Sequence, residues 1–309
     1  MDRERPSFMA AVAERYIKTR KRVYFNSEEA ASRYLTSRRH AKEQPGILDH
    51  LKYGRASAIT MCRQMKVVSY GEKHRSDHTV IYLHGGAYVR DVHFQHLNFC
   101  RSLSRKAGAC VVLPLYPLAP EHKCEETYTL LTEFYKETLD RQPRRITIMG
   151  DSAGGGLTLG FTRYLKDCGL PVPDKVVAFS PWVDVSMSLC DHDPYEDKDT
   201  MLSTKGLIPL GEAWAGDLGT KDPKVSPAFG DCHGFPDTLI FTGTHEILYP
   251  DICAYYDKMS SCGVNVRLIT GEGMPHVYPL YPIPEARTAM SESLEFLSQP
   301  QKASLSDQP

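Results

Sequence analysis

Residues 146–156 read ITIMGDSAGGG, and this stretch decides the fold. Ile146, Ile148 and Met149 suit a buried strand. Leu157, Phe161, Tyr164, Leu165 and Cys168 then return on one side at helical spacing. The stretch therefore reads as strand, sharp turn, helix. Ser152 stands in the turn, flanked by Gly150 and Gly154 in the spacing G-x-S-x-G. Small residues belong there because strand and helix pass close together around a strained bend. A serine at such a place either caps the helix or attacks a substrate. A cap needs none of the surrounding glycines. A nucleophile lifted to a helix N-terminus does, and backbone N–H groups there stabilise negative charge.

Outward from this turn, apolar runs alternate with helical patterns. TVIYLHGG (79–86), ACVVLPLY (109–116), KVVAFSPW (175–182), DTLIFTG (237–243) and NVRLITG (265–271) join RITIMG (145–150) as strands. Helices are expected over about Phe94–Lys106, Glu121–Asp140 and within PEARTAMSESLEFL (284–297). Alternation of this kind predicts an α/β fold with a mostly parallel, doubly wound sheet covered on both faces. Two basic helical stretches, Pro6–Val23 and Ser27–His40, precede the strands, and NSEEA (26–30) supplies an N-cap and early acids for the second. About fifty residues between SPWVD and DTLIF lack a clear strand and read as a helical insertion above the sheet, where α/β folds keep their sites. The expected organisation is residues 1–60 and 185–225 as a helical cap, 61–184 and 226–300 as the core, and 301–309 as a flexible tail.

Composition narrows the function classes. The chain has 309 residues, 41% hydrophobic and 24% charged, with a formal net charge of -1. That balance implies no polyelectrolyte partner, and no run approaches the roughly 18 apolar residues of a membrane helix. The N-terminus lacks the apolar stretch of a secretory signal. Nine cysteines without a C-x-x-C pair read as reduced thiols of a cytoplasmic protein. No P-loop or dinucleotide fingerprint follows a strand, so nucleotide binding is unsupported. DHDPYEDKD (191–199) reads as a solvated acidic loop rather than a metal site, DCHG (231–234) lacks a second cluster of ligands, and KTRKRVYF (18–25) reads as a solvated face. Trp182 and Trp214 are candidates to line a pocket.

A serine nucleophile needs a base, an acid to orient it, and donors for an oxyanion. GTHEILYPD (243–251) and GEGMPHVYPLYP (271–282) both follow strands, on the same rim as Ser152. His276 is the base. Glu246 and Asp251 compete as the acid. Glu246 comes directly after the strand, whereas Asp251 follows Pro250 and suits the first turn of the next helix, so Glu246 is preferred. YLHGGAY (82–88) offers the amides of Gly85 and Gly86, with that of Ala153, as oxyanion donors, and His84 as a residue that holds the loop.

HGGAY, YPLAPEH, GDSAGGG, SPWVD, TGTHEIL and PHVY resemble, in order and spacing, the hormone-sensitive-lipase family of α/β-hydrolases from about Val80 to Phe296. The resemblance implies a serine carboxylesterase with a helical cap, no cofactor and no metal. It implies Ser152 as nucleophile, Glu246 as acid, His276 as base, and Gly85, Gly86 and Ala153 as oxyanion donors. Three departures stand out. Ala87 replaces the third glycine of the HGGG motif, glutamate stands at the usual aspartate position, and LYPLAPE carries Leu115 and Pro117 where the family has a charged pair. The expected substrate is a small-molecule ester with a short acyl group, acetyl to about hexanoyl. An amidase or N-deacylase on the same residues is the alternative. A silent receptor on this fold is disfavoured by the retained His276. Neither nucleic acid nor stable membrane insertion is expected, and a homo-oligomer is compatible with the sequence.

Overall fold

A computed structural model describes residues 6–19, 27–37, 52–54, 56–71 and 77–300. Its centre is an eight-stranded sheet in the order β1-β2-β4-β3-β5-β6-β7-β8. The strands are β1 (Ala58–Cys62), β2 (Met65–Tyr70), β3 (His78–Leu83), β4 (Cys110–Leu115), β5 (Arg145–Asp151), β6 (Lys175–Phe179), β7 (Asp237–His245) and β8 (Val266–Pro275). From β4 to β8 all neighbours are parallel, as the strand–helix alternation predicts. The sheet differs from the sequence reading at one edge. β1 and β2 form an antiparallel hairpin, and β2 pairs antiparallel with β4. The core thus begins at Ala58, ahead of the expected boundary at 61. The hairpin leaves no periodic trace in the sequence, because β1 is an edge strand with only Cys62 fully buried and so shows no clean alternation.

Helices cover both faces. On one side lie α4 (Cys124–Asp140), α5 (Ala153–Asp167) and α8 (Tyr249–Ser261), which bury Leu131, Phe134, Leu157, Phe161, Ile252 and Tyr255 against Ile81, Ile148 and Val176. On the other lie α3 (Phe94–Ala107) and α9 (Pro284–Ser298), with Phe99, Leu103, Met290 and Phe296 against Val80, Met149 and Phe241. The two apolar layers use alternate residues of the same strands, as a sheet buried on both faces requires.

The N-terminal helices divide. α2 (Glu28–Ser37) starts where expected, with Ala30 N donating to Ser27 Oγ at 3.2 Å. It packs on α7 (Thr204–Ala215), the main helix of the insertion, which also contains the single turn α6 (Asp193–Glu196). α1 (Phe8–Thr19) lies instead against α9, where Ser7 donates from both N and Oγ to Glu285. The basic stretch 18–25 falls almost wholly, and the expected tail 301–309 entirely, outside the described residues. Among the described residues no helix is long and apolar enough to cross a membrane.

Candidate active site

The turn between β5 and α5 has the geometry that its glycines foretell. Ser152 sits at φ 52° and ψ -122°, a conformation side chains rarely adopt. A Cβ on Gly154 would lie 2.1 Å from Leu83 O, and one on Gly150 would lie 2.4 Å from Gly154 O. Neither position tolerates a side chain without moving backbone. The serine is held from both sides: its N–H donates to Phe179 O at 2.9 Å, and its carbonyl accepts from Trp182 N and Gly156 N. Its side chain is not used as a helix cap.

β8 and the loop after it carry His276 to this turn. His276 Nε2 lies 2.9 Å from Ser152 Oγ, and Nδ1 lies 2.5 Å from Glu246 Oε2. Glu246 is buried at the end of β7, and its other oxygen accepts from Ser180 Oγ, Thr242 Oγ1 and Gly243 N. Burial alone would lower the pKa of His276. The hydrogen bond and charge of Glu246, with the charges of Asp199 and Asp151, outweigh burial and hold it above the ordinary 6.5. Nδ1 can only donate to a carboxylate, so Nε2 is free to accept the serine proton. Asp251, the competing acid, is not part of this line. It lies in the first turn of α8 and meets His192 Nε2 at 2.9 Å. Its partner is a residue of the acidic stretch 191–199, which no local pattern pairs with it.

The loop after β3 lies against the elbow, and here one expectation is corrected. The N–H of Gly85 donates to Asp151 Oδ1 at 3.1 Å, so it is not available to an oxyanion. Among the described residues, no protein acceptor engages the amide of Gly86, Ala87 or Ala153. Gly86 and Ala87 line the cleft beside Ser152. Ala87 stands at φ 52°, which explains why a third glycine suits this motif, and the methyl group is accommodated in the buried interior. His84 holds the loop, as expected. Its Nδ1 meets Gly85 O at 2.8 Å, its ring stacks on Tyr116 at 4.5 Å, and burial pushes its pKa down to about 4.

Several participants have no signature of their own in the sequence. Asp151, next to the serine, also accepts from Tyr82 Oη at 2.8 Å and meets His96 Nε2 at 3.2 Å. Burial would raise its pKa, but the hydrogen bonds from His96 and Tyr82 hold it below the ordinary value. His96 Nδ1 accepts from His93 N, so its proton resides on Nε2. Ser180 joins Glu246 to the loop that carries His276, donating to Glu246 Oε1 at 2.9 Å and accepting from Val277 N at 3.0 Å.

The cleft over Ser152 encloses about 710 Å3, counting space open to solvent. Its apolar lining includes Trp182, Met201, Leu202, Leu207, Leu248 and Leu280. Arg90, His93 and Gln95 are polar members of the same lining. Trp182 is therefore a lining residue. Trp214 is not: it is buried and stacks on Tyr88 with ring centres 4.1 Å apart, which ties α7 to the loop after β3. The stretch 191–199 is dispersed rather than gathered: Glu196 accepts from Thr204 N, and Asp199 from three backbone amides. DCHG does meet a third residue, Cys262, with side-chain donor atoms of Asp231, His233 and Cys262 within 4.8 Å of one another. Asp231 is already bonded to His233 and lies 3.6 Å from Lys166 Nζ. All nine cysteines are free thiols.

Comparison with known proteins fits this geometry. Residues 80–280 match the family model described as alpha/beta hydrolase fold. An acetyl-hydrolase of Streptomyces hygroscopicus is 31% identical over 223 residues, covering 71% of this chain and 75% of that protein. An esterase of Acinetobacter venetianus RAG-1 is 29% identical over 222 residues, 70% of this chain and 73% of its own. The solved structure of an esterase from the bacterial hormone-sensitive lipase family superposes with a TM-score of 0.79 at 25% identity, covering 95% of this chain and 98% of that one.

Proposed function

Because the chain belongs to the hormone-sensitive-lipase-like esterases of the α/β-hydrolase fold, and is a carboxylic-ester hydrolase, we propose that it cleaves short-chain acyl esters through an acyl-enzyme on Ser152. The observation that carries this reading is the continuous line from Ser152 Oγ through His276 to Glu246, at 2.9 and 2.5 Å.

In the proposed cycle Ser152 Oγ attacks the ester carbonyl while its proton passes to His276 Nε2. Glu246 keeps Nδ1 protonated and stabilises the imidazolium. The carbonyl oxygen becomes an oxyanion, which the amides of Gly86, Ala87 and Ala153 receive at the N-terminus of α5. Ala87 here takes the place first assigned to Gly85. The intermediate collapses, the C–O bond to the alcohol breaks, and His276 returns the proton to the departing oxygen. Water then attacks the acyl-enzyme by the same route and frees the acid and Ser152. α2 and the segment 185–225 act as the cap that closes the cleft.

The apolar lining supports an acyl group of acetyl to about hexanoyl length. Each added methylene contributes about 0.8 kcal/mol in an apolar pocket, roughly fourfold in kcat/KM, until the lining ends. A series of p-nitrophenyl esters tests this: rates should peak at or below hexanoyl, and faster turnover of emulsified long-chain triglyceride would defeat it. A fluorophosphonate probe should label the wild type at Ser152 and leave Ser152→Ala unmodified. A folded wild type that resists labelling would remove the nucleophile from the scheme.

A further inference from the structure

Asp199 is a carboxylate outside the proposed triad that sits, buried, between the insertion and the acid's loop. Its Oδ1 accepts from Met201 N at 2.7 Å and from Leu202 N at 2.8 Å. Its Oδ2 accepts from Ile247 N at 2.8 Å. Met201 and Leu202 form part of the apolar lining of the cleft, and Ile247 is the residue after Glu246. We infer that Asp199 is a positioning residue: its carboxylate clamps the Met201–Leu202 lining of the cleft to the loop that carries Glu246, so that this lining and the triad acid keep one register. The inference rests on the reading of Glu246 and His276 as acid and base.

Three features favour a positioning role over a merely buried acid. First, the contacts are divided between a segment next to Asp199 in the chain and one 48 residues further on, and each oxygen serves one segment. Second, both segments touch the reacting groups or the cleft itself. Third, the charge of Asp199 acts directly on the base. Burial pushes the Asp199 carboxyl up, while His276 and the three amides favour its charged form, and Asp199 in turn favours the protonated form of His276. The charged groups facing His276 are thus Glu246, Asp199 and Asp151. The insertion has a second tether, His192 to Asp251, which involves no residue of the triad.

An asparagine cannot reproduce the clamp. Its single carbonyl oxygen serves either the Met201–Leu202 pair or Ile247, and its NH2 faces an N–H on the other side. Asp199→Asn and Asp251→Asn would be compared with the wild type by pH profiles of kcat/KM on p-nitrophenyl butyrate, after fluorophosphonate labelling of the wild type at Ser152. Failure of that labelling would count against the triad reading itself, whereas the profiles speak to Asp199. The expected result for Asp199→Asn is a kcat lower by about tenfold or more and an acid limb displaced to lower pH, because His276 loses a neighbouring negative charge. Asp251→Asn should keep the wild-type limb. An Asp199→Asn limb superimposed on the wild type, or an equal displacement in Asp251→Asn, overturns the inference. Should Asp199→Asn not fold, hydrogen exchange of the wild-type Ile247 amide decides: slow exchange supports the clamp, and exchange as fast as an exposed loop amide overturns it.

Discussion

Replacing Glu246 by glutamine separates the two acids of the rim. Glu246 Oε1 faces three donors, Ser180 Oγ, Thr242 Oγ1 and Gly243 N, and the two hydroxyls can rotate but the Gly243 N–H cannot. The glutamine carbonyl oxygen must therefore take the Oε1 position, which turns its NH2 toward His276 Nδ1. Nδ1 then has to accept, so the imidazole proton moves to Nε2. In that tautomer Nε2 cannot take the proton of Ser152, 2.9 Å away. The geometry survives and the chemistry does not. Loss of a correctly oriented tautomer in a serine triad costs about 10^4-fold in kcat, so a fall of about 10^3 to 10^4-fold, roughly 4 to 5.5 kcal/mol of barrier, is expected. Asp251→Asn keeps an oxygen for the His192 N–H and should lose less than about tenfold in kcat. Its penalty should appear as stability instead, on the order of 1–3 kcal/mol. Stopped-flow or steady-state hydrolysis of one soluble ester, with circular dichroism melts of both variants, provides the comparison. A severe loss in Asp251→Asn beside a mild one in Glu246→Gln would refute the assignment, and so would a Glu246→Gln enzyme of near-native turnover.

Ser152→Ala should lose about 10^4-fold or more in kcat while melting as the wild type does, since the side chain caps no helix; a folded variant with near-native turnover contradicts the mechanism. Gly154→Ala places a methyl group 2.1 Å from Leu83 O, so a destabilisation of at least about 2–3 kcal/mol is expected, read as a Tm lower by about 5 °C or more. An unchanged Tm would show the crossing of β3 and α5 to be looser than described. Because the base must be neutral and its pKa is held above 6.5, wild-type kcat/KM should fall as pH drops through a value above 6.5. An acid limb well below 6.5 would mean that burial outweighs Glu246 at His276.

The sequence by itself determined the parts whose physics is local. The strand before Ser152 and the helix after it follow from apolar periodicity. The tight turn follows from Gly150 and Gly154, and the parallel sheet from repeated strand–helix alternation. The rim positions of Ser152, Glu246 and His276 follow as well, since each ends a parallel strand and all such ends lie on one edge. Tertiary structure decided what depends on contacts between distant segments. The hairpin of β1 and β2 is visible only as pairing, because an exposed edge strand carries no strong alternation. That the Gly85 amide serves Asp151, while those of Gly86 and Ala87 have no protein acceptor, is a matter of where one carboxylate points. Position along the chain makes Asp251 a competing acid, yet it faces His192, and composition makes Asp199 one more acid of a solvated loop, yet it is buried on three amides. Spacing along a chain limits which elements can form and which ends they share. The partner that a buried polar group finds is set by the desolvation that only packing imposes.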